Sequence, residues 1–394
     1  MSLSNASIVR LSHSTPLKAA RTYINRQHIL QRSIDIQQIP APTFHEGERA
    51  AKLVADFQAL GLQDVRQDAL HNVYGWLPGD SPEAPVLLIS AHTDTVFPHG
   101  TDLRIRQEGE RIYGPGLGDN SLGVAALLGL AEVFASTNIP RAARICFLAN
   151  SREEGLGDLG GMHAALDALG DEVKAGIVLE GMALGRVYNA GIAVRRLKVS
   201  VEAPGGHSWL HFGQASAIHT LMRFGERLTQ LPVSNDPRTT FNIGLIEGGT
   251  SINTIAPQAA CYIDLRSVDS DTLNDLESQV RKLAAQEAAD DPSVTVVIER
   301  VGDRPAGQIA ADHPLVRLAL DAHQSIGMVA EVEGGSTDAN ALLARGTPAV
   351  CVGVSYGGNA HIASEYIETA PIQAGMWQLV LLAAAAANGL PAWQ

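Results

Sequence analysis

The chain has 394 residues, 45% hydrophobic and 18% charged, with a formal net charge of −13 at pH 7. That length suits two or three domains, and the composition is globular rather than disordered. The acidic balance argues against nucleic acid and anionic membrane as partners, because both favour basic surfaces.

At the N-terminus, MSLSNASIVRLSHSTP has no apolar core of the kind a secretory signal needs. The stretch AARTYINRQHILQRSIDIQQI then reads as helix, and so does HEGERAAKLVADFQALGL. APVLLISAHTD is a buried strand, SLGVAALLGLAEVFAST a helix, AARICFLANS a strand, GGMHAALDAL a helix and KAGIVLEG a strand. Short continuous apolar strands interleaved with helices predict an α/β fold, a mostly parallel sheet flanked by helices. From residue 192 to about 304 the texture changes to strand, helix, two strands, helix and strand. That βαββαβ order is the ferredoxin-like unit, an antiparallel sheet with its helices on one face. It predicts a body inserted into a first domain made of residues 1–191 and 305–394. After it come the helical HPLVRLALDAHQSIG and DANALLARG, the strand TPAVCVGV and a final helix from about Pro371. No apolar run approaches a membrane span; LVLLAAAAANGL, residues 379–390, is too short. Cys146, Cys261 and Cys351 are far apart and form neither a disulfide framework nor a CxxC knuckle, so a reducing cytoplasm is expected.

Chemistry-bearing residues gather at strand ends. LLISAHTDTV places His92 and Asp94 on one face of a strand end, where Asp94 can fix the tautomer of the His92 ring for a metal. YGPGLGDNSLG crowds glycines around Asp119, without the GxGxxG or GKS/T pattern of a nucleotide cradle. Glu153 and Glu154 follow the next strand, Glu180 the one after, and His361 lies in the loop after the last. Carboxyl ends of parallel strands converge on one crevice. Two histidines and several acids at such a place repel strongly unless a cation neutralises them. Nitrogen and carboxylate ligands without thiolate suit zinc, with cobalt or manganese as alternatives. No HExxH occurs, which removes mononuclear zincins. The GxSxG match GVSYG, Gly353 to Gly357, is followed by GNAH and not by the helical pattern that a serine-hydrolase elbow needs.

Taken in order, SAHTDTVFPHG, GPGLGDNSLG, NSREEGLGDLGG, VLEG, GGHSW and NAHIASEYIE resemble the dinuclear zinc amidohydrolases. This is the group of carboxypeptidase G, aminoacylase, acetylornithine deacetylase, succinyl-diaminopimelate desuccinylase and peptidase T. The resemblance spans nearly the whole chain and implies that the inserted unit, residues 192–304, is a lid and dimerisation domain of a homodimer. It implies two divalent ions bridged by Asp119, one also held by His92 and Glu180, the other by Glu154 and His361. Glu153 would be the general acid/base acting on a metal-activated water, supported by Asp94. His207 would meet the developing oxyanion, while Asn253 and Arg266 would hold the substrate carboxylate. Gly335, Ser336 and Thr337, within EGGSTDAN, match a glycine loop lining the substrate pocket. Asp119–Asn120 matches a non-proline cis peptide of the family. The implied reaction is cleavage of an amide bond in a small peptide or an N-acyl amino acid. A deacylase, or a non-catalytic binding protein on the same scaffold, is the alternative. One departure is visible: many members carry lysine where this chain has Ser121.

Overall fold

The computed structural model describes residue 8 and residues 11–392. Two compact units emerge, Met1–Gly191 with Gly307–Gln394, and Ile192–Ala306.

The first unit is built on a nine-stranded sheet. Its centre is four strands in parallel, in the order Arg144–Asn150, Val86–His92, Val173–Glu180 and Ala349–Gly353. Val86–His92 is buried along its whole length. Its side chains alternate between two cores. Leu87, Ile89 and Ala91 pack on one face of the sheet, and Val86 and Leu88 pack on the other. Such double-sided burial is what a continuous apolar run demands. The expectation of a mostly parallel sheet applies to this centre and not to the margins. Gln63–Gln67 pairs antiparallel with Val73–Leu77, which pairs antiparallel with Arg144–Asn150. On the other side, Arg186–Gly191 runs antiparallel to Ala349–Gly353 and parallel to Glu331–Gly335. The sheet is therefore mixed. Two of the marginal strands, QDVRQ and EVEGG, escape a hydrophobic reading because they are polar and largely exposed.

Two helical expectations change in detail. The N-terminal helical stretch is broken into Thr15–Tyr23 and Arg26–Gln37, because the Asn25 side chain accepts from the backbone N–H groups of Gln27 and His28 and starts a new helix. Among the described residues, Leu117–Ser136 is long and apolar enough to cross a membrane, contrary to the expectation that no run approaches that length. Over 18 residues of this stretch, 89% are buried inside the protein, where Leu122–Ser136 is a core helix against the sheet.

The second unit has the βαββαβ order, with Ala193–Glu202, Ala217–Thr229, Thr239–Gly248, Gln258–Ser267, Ser270–Asp290 and Thr295–Arg304. Its four long strands form one antiparallel sheet. Leu197, Val199, Ile263 and Leu265 meet Leu221, Phe224, Leu273 and Val280 of the helices in its core.

Candidate metal centre

Three of the central parallel strands deliver side chains to one place. His92 ends its strand, Glu180 ends the neighbouring one, and Asn150 ends the third just before Glu153 and Glu154. Asp119 enters from the loop before helix Leu122–Ser136. Its Oδ1 lies 3.1 Å from His92 Nε2, and its Oδ2 lies 3.2 Å from His361 Nε2. His92 Nε2 is 3.8 Å from Glu180 Oε2, and His361 Nε2 is 3.4 Å from Glu154 Oε1. One carboxylate thus faces two histidines, each with its own glutamate.

Backbone geometry explains how neighbouring glutamates reach a single site. Consecutive strand residues point to opposite faces. Arg152 leaves the strand with φ of 56°, in the left-handed region, so the chain turns before Glu153. Asp94 catches this turn. Its Oδ1 accepts from Glu153 N and its Oδ2 from Glu154 N, each at 2.9 Å, and Thr43 Oγ1 donates to Oδ2 at 2.9 Å. Buried Glu46 accepts the Arg152 N–H at 3.1 Å. The relation of Asp94 to the His92 ring differs from the expected carboxylate contact. His92 Nδ1 is nearer the Asp94 carbonyl oxygen, at 3.2 Å, than the carboxylate, at 3.5 Å. Either acceptor leaves Nε2 facing Asp119 and Glu180.

The Asp119 loop is pinned on both sides by contacts that the sequence does not disclose. Asn120 Nδ2 donates to the Leu179 carbonyl at 2.8 Å and its Oδ1 accepts from Gly181 N at 2.9 Å, bracketing Glu180. A Cβ at Gly181 would collide with the Gly118 carbonyl, so this close approach requires glycine. Fully buried Glu365 accepts from the N–H groups of Gly116, Gly118 and Asp119. Ser121 is buried and donates to the Gly116 carbonyl at 2.6 Å. It closes the loop instead of facing a ligand. The Asp119–Asn120 peptide bond is cis.

The cluster holds more negative charge than it can carry alone. Burial, reinforced by the Asp119 charge, pushes Glu154 up to about 7. Burial likewise lifts Glu180 to about 7 against the attraction of His92, with smaller pushes from Asp119 and Glu153. Burial opposes ionisation of Asp119 too, but hydrogen bonds from His361 and His92 hold it well below the usual carboxylate range. Those to Asp119 and Glu154 pull His361 up to about 10. His92 is also raised, burial being outweighed by the Glu180 charge and the bond to Asp119. Protons are therefore retained where cations would fit, and cation binding would release them. Three groups have ligand atoms mutually within 4.8 Å: His92 with Asp119 and Glu180, Asp119 with Glu154 and His361, and His92 with Glu153 and Glu154. The first two share Asp119 and contain only nitrogen and carboxylate donors, which fits a pair of hard or borderline divalent ions. The third shows that Glu153 is close enough to reach an ion or a water beside one.

A cavity of about 750 Å³ opens at Asp119 and Glu180 and is lined also by Tyr188, Gly335, Ser336, Thr337 and Tyr356. The glycine-loop residues therefore share a cavity with two of the metal-ligand candidates. A cavity of about 800 Å³ elsewhere, lined by Arg66, Trp76 and Arg144, contains none of them, and its Arg144 is engaged by Glu172 and the Ala84 carbonyl.

In the second unit, His207 is exposed and its Nδ1 accepts from the N–H groups of Trp209 and Leu210 at 3.2 and 3.4 Å. An accepting Nδ1 leaves Nε2 as the donor in the neutral ring. Asn253 lies beside it, its carbonyl accepting from Ser208 N at 3.0 Å. Arg266 does not join them. It donates to Asp264 Oδ1 at 2.6 Å and pairs in register with Val194, whereas Gln258, at the Asn253 end, pairs with Glu202. Eight residues of strand separate the two ends, on the order of 26 Å. Asn253 and Arg266 of one chain therefore do not converge on one carboxylate, which corrects their expected pairing.

Comparison with known proteins adds a sequence family and a fold. The profile of Peptidase family M20/M25/M40 matches residues 88–385. Uncharacterized protein YqjE of Bacillus subtilis (strain 168) is 25% identical over 353 residues, covering 84% of this chain and 91% of that protein. Carboxypeptidase G2 of Pseudomonas sp. (strain RS-16) is 24% identical over 346 residues, covering 81% and 79%. The chain spans 66% and 63% of two further relatives named probable carboxypeptidase. Among solved structures, a tripeptidase from Staphylococcus aureus superposes with a TM-score of 0.76 at 23% identity, covering 92% of this chain and 99% of that one. That likeness is one of fold.

Proposed function

The chain belongs to Peptidase family M20/M25/M40, and from that premise we propose that it hydrolyses an amide bond in a small peptide, as a di- or tripeptidase or carboxypeptidase. The observation that carries this reading is the Asp119 carboxylate, with one oxygen toward His92 and the other toward His361. His92, Asp119 and Glu180 would hold one divalent ion, and Asp119, Glu154 and His361 a second, with zinc favoured and cobalt or manganese as alternatives. Such ions, when bound, acidify water and polarise a carbonyl. Glu153, on the turn suspended from Asp94, takes the proton of the attacking water and passes it to the leaving nitrogen. Asp94 orients both His92 and the turn. The cavity beside Asp119 and Glu180 receives the substrate against Gly335, Ser336 and Thr337. His207, with Nε2 free to donate, serves the developing oxyanion, and Arg266 serves a substrate carboxylate.

The separation of Asn253 from Arg266 favours a homodimer formed through the inserted unit, in which the two residues serve a given substrate from different copies. The three cysteines are buried free thiols, which suits a reducing compartment. An N-acyl amino acid deacylase is the second reading, since the same centre accepts either amide.

The test is elemental analysis followed by hydrolysis assays of the zinc- and cobalt-loaded protein. The assays compare di- and tripeptides, C-terminal glutamate conjugates and N-acyl amino acids. The proposal expects two ions per chain and activity abolished by chelation without unfolding. Full activity with at most one ion per chain would refute the bridged centre.

A further inference from the structure

We propose that Glu365 is a positioning residue that sets the ion site shared by Asp119, Glu154 and His361; this rests on the two-ion reading above. Glu365 is fully buried, four residues after His361. Its Oε1 accepts from Gly118 N at 2.7 Å and Asp119 N at 2.9 Å, and its Oε2 accepts from Gly116 N at 3.2 Å. Its backbone carbonyl accepts from Gly114 N at 2.9 Å. A single residue thus gathers four N–H groups of the loop that presents the bridging carboxylate. Both of its side-chain oxygens are used in doing so, which makes it a brace and not a ligand.

The brace acts on the two ion sites unequally. Asp119 belongs to both, but His361 belongs to one, and Glu365 ties the Asp119 loop to the loop that carries His361. Loosening it changes the spacing between Asp119 and His361 directly. The His92 side of Asp119 keeps an independent tether, because Asn120 remains bonded to Leu179 and Gly181 around Glu180. Glutamine at 365 would keep the size but turn an NH₂ group toward backbone donors, removing part of the acceptor capacity.

Calorimetric titration of chelated protein with zinc tests this, with the event missing in H361A marking the His361 ion. E365Q is expected to weaken that event by roughly 10- to 100-fold, the usual cost of losing a partner that orients ligands, and to change the other much less. A merely structural role would lower the melting temperature of the chelated protein and leave both affinities as in wild type, which overturns the proposal. If E365Q does not fold, E365D carries the same expectation, since it keeps the charge but withdraws it by one methylene. A wild-type chain that takes up a single ion overturns the two-ion reading and this inference together. Two wild-type events unchanged by either variant overturn this inference alone.

Discussion

Asp94 accepts the backbone N–H of Glu153 on one carboxylate oxygen at 2.9 Å, while its other oxygen takes the N–H of Glu154. The residue that follows the His92 strand therefore shapes the turn after the adjacent strand, and the two glutamates share one anchor. Asn at this position can accept through only one oxygen and would set an NH₂ against an N–H. D94N, assayed with ions in excess, should lower kcat/KM by about 10²-fold or more, since small misplacements of catalytic groups carry that cost. Unchanged kcat/KM would show that the turn does not depend on both acceptors.

The two glutamates should separate by mutation although they are adjacent. Glu154 lies 3.4 Å from His361 through Oε1, in the group that includes Asp119. E154Q should therefore release an ion. E153Q should retain both ions and lose about 10²–10⁴-fold in kcat, the contribution typical of a general base. Metal content measured beside kcat decides the matter; equal metal loss in both variants would make Glu153 a ligand.

What the sequence discloses follows from how local each signal is. Val86–His92 and Ala349–Gly353 are buried on both faces, so their apolar runs mark them without any knowledge of neighbours. The residues at their ends inherit a common location from the rule that parallel strands open onto one crevice. Gln63–Gln67 is a strand only because Val73–Leu77 pairs with it; its own residues are mostly polar and exposed. The contacts of Glu365 and Asn120 are equally silent, since each acts on backbone groups that tertiary folding brings near. The separation of Asn253 from Arg266 was likewise hidden, because sequence distance says nothing about which end of a strand a preceding loop occupies.

Arg266 offers a test of substrate recognition. Its guanidinium is bonded to Asp264, which also lies 3.3 Å from Arg196, and it is about half exposed. If it captures a substrate carboxylate, it must exchange or share Asp264 to do so. R266A should then erase the preference for free over amidated C-termini, a preference expected at roughly 2–3 kcal/mol for a charge-assisted pair. If the pair with Asp264 is its whole role, the variant lowers the melting temperature and leaves the ratio of kcat/KM values unchanged.

Asp338 makes the stability of the metal-free protein depend on pH. It is fully buried, Asn150 Nδ2 donates to its Oδ2 at 2.7 Å, and its Oδ1 has no hydrogen-bond partner among the described residues. Burial, with the charge of Glu153 and a smaller push from Glu180 against the pull of His92, raises it from 3.8 to about 8. The folded protein therefore holds a proton that the unfolded chain gives up at much lower pH. For an acid shifted upward, the stabilisation is fully present below 3.8 and is lost as pH rises through about 8, because the folded state binds more protons across that window. Asparagine mimics the protonated form and keeps an oxygen for Asn150. In the presence of chelator, the melting temperature of D338N relative to wild type should rise steadily between about pH 5 and pH 8. The trend is read from thermal melts at several pH values, and the comparison removes contributions from titrating groups remote from Asp338 that both proteins share. A difference that stays constant over this range would mean that Asp338 is already ionised in the fold, and that the cluster around Glu153 tolerates one more buried charge.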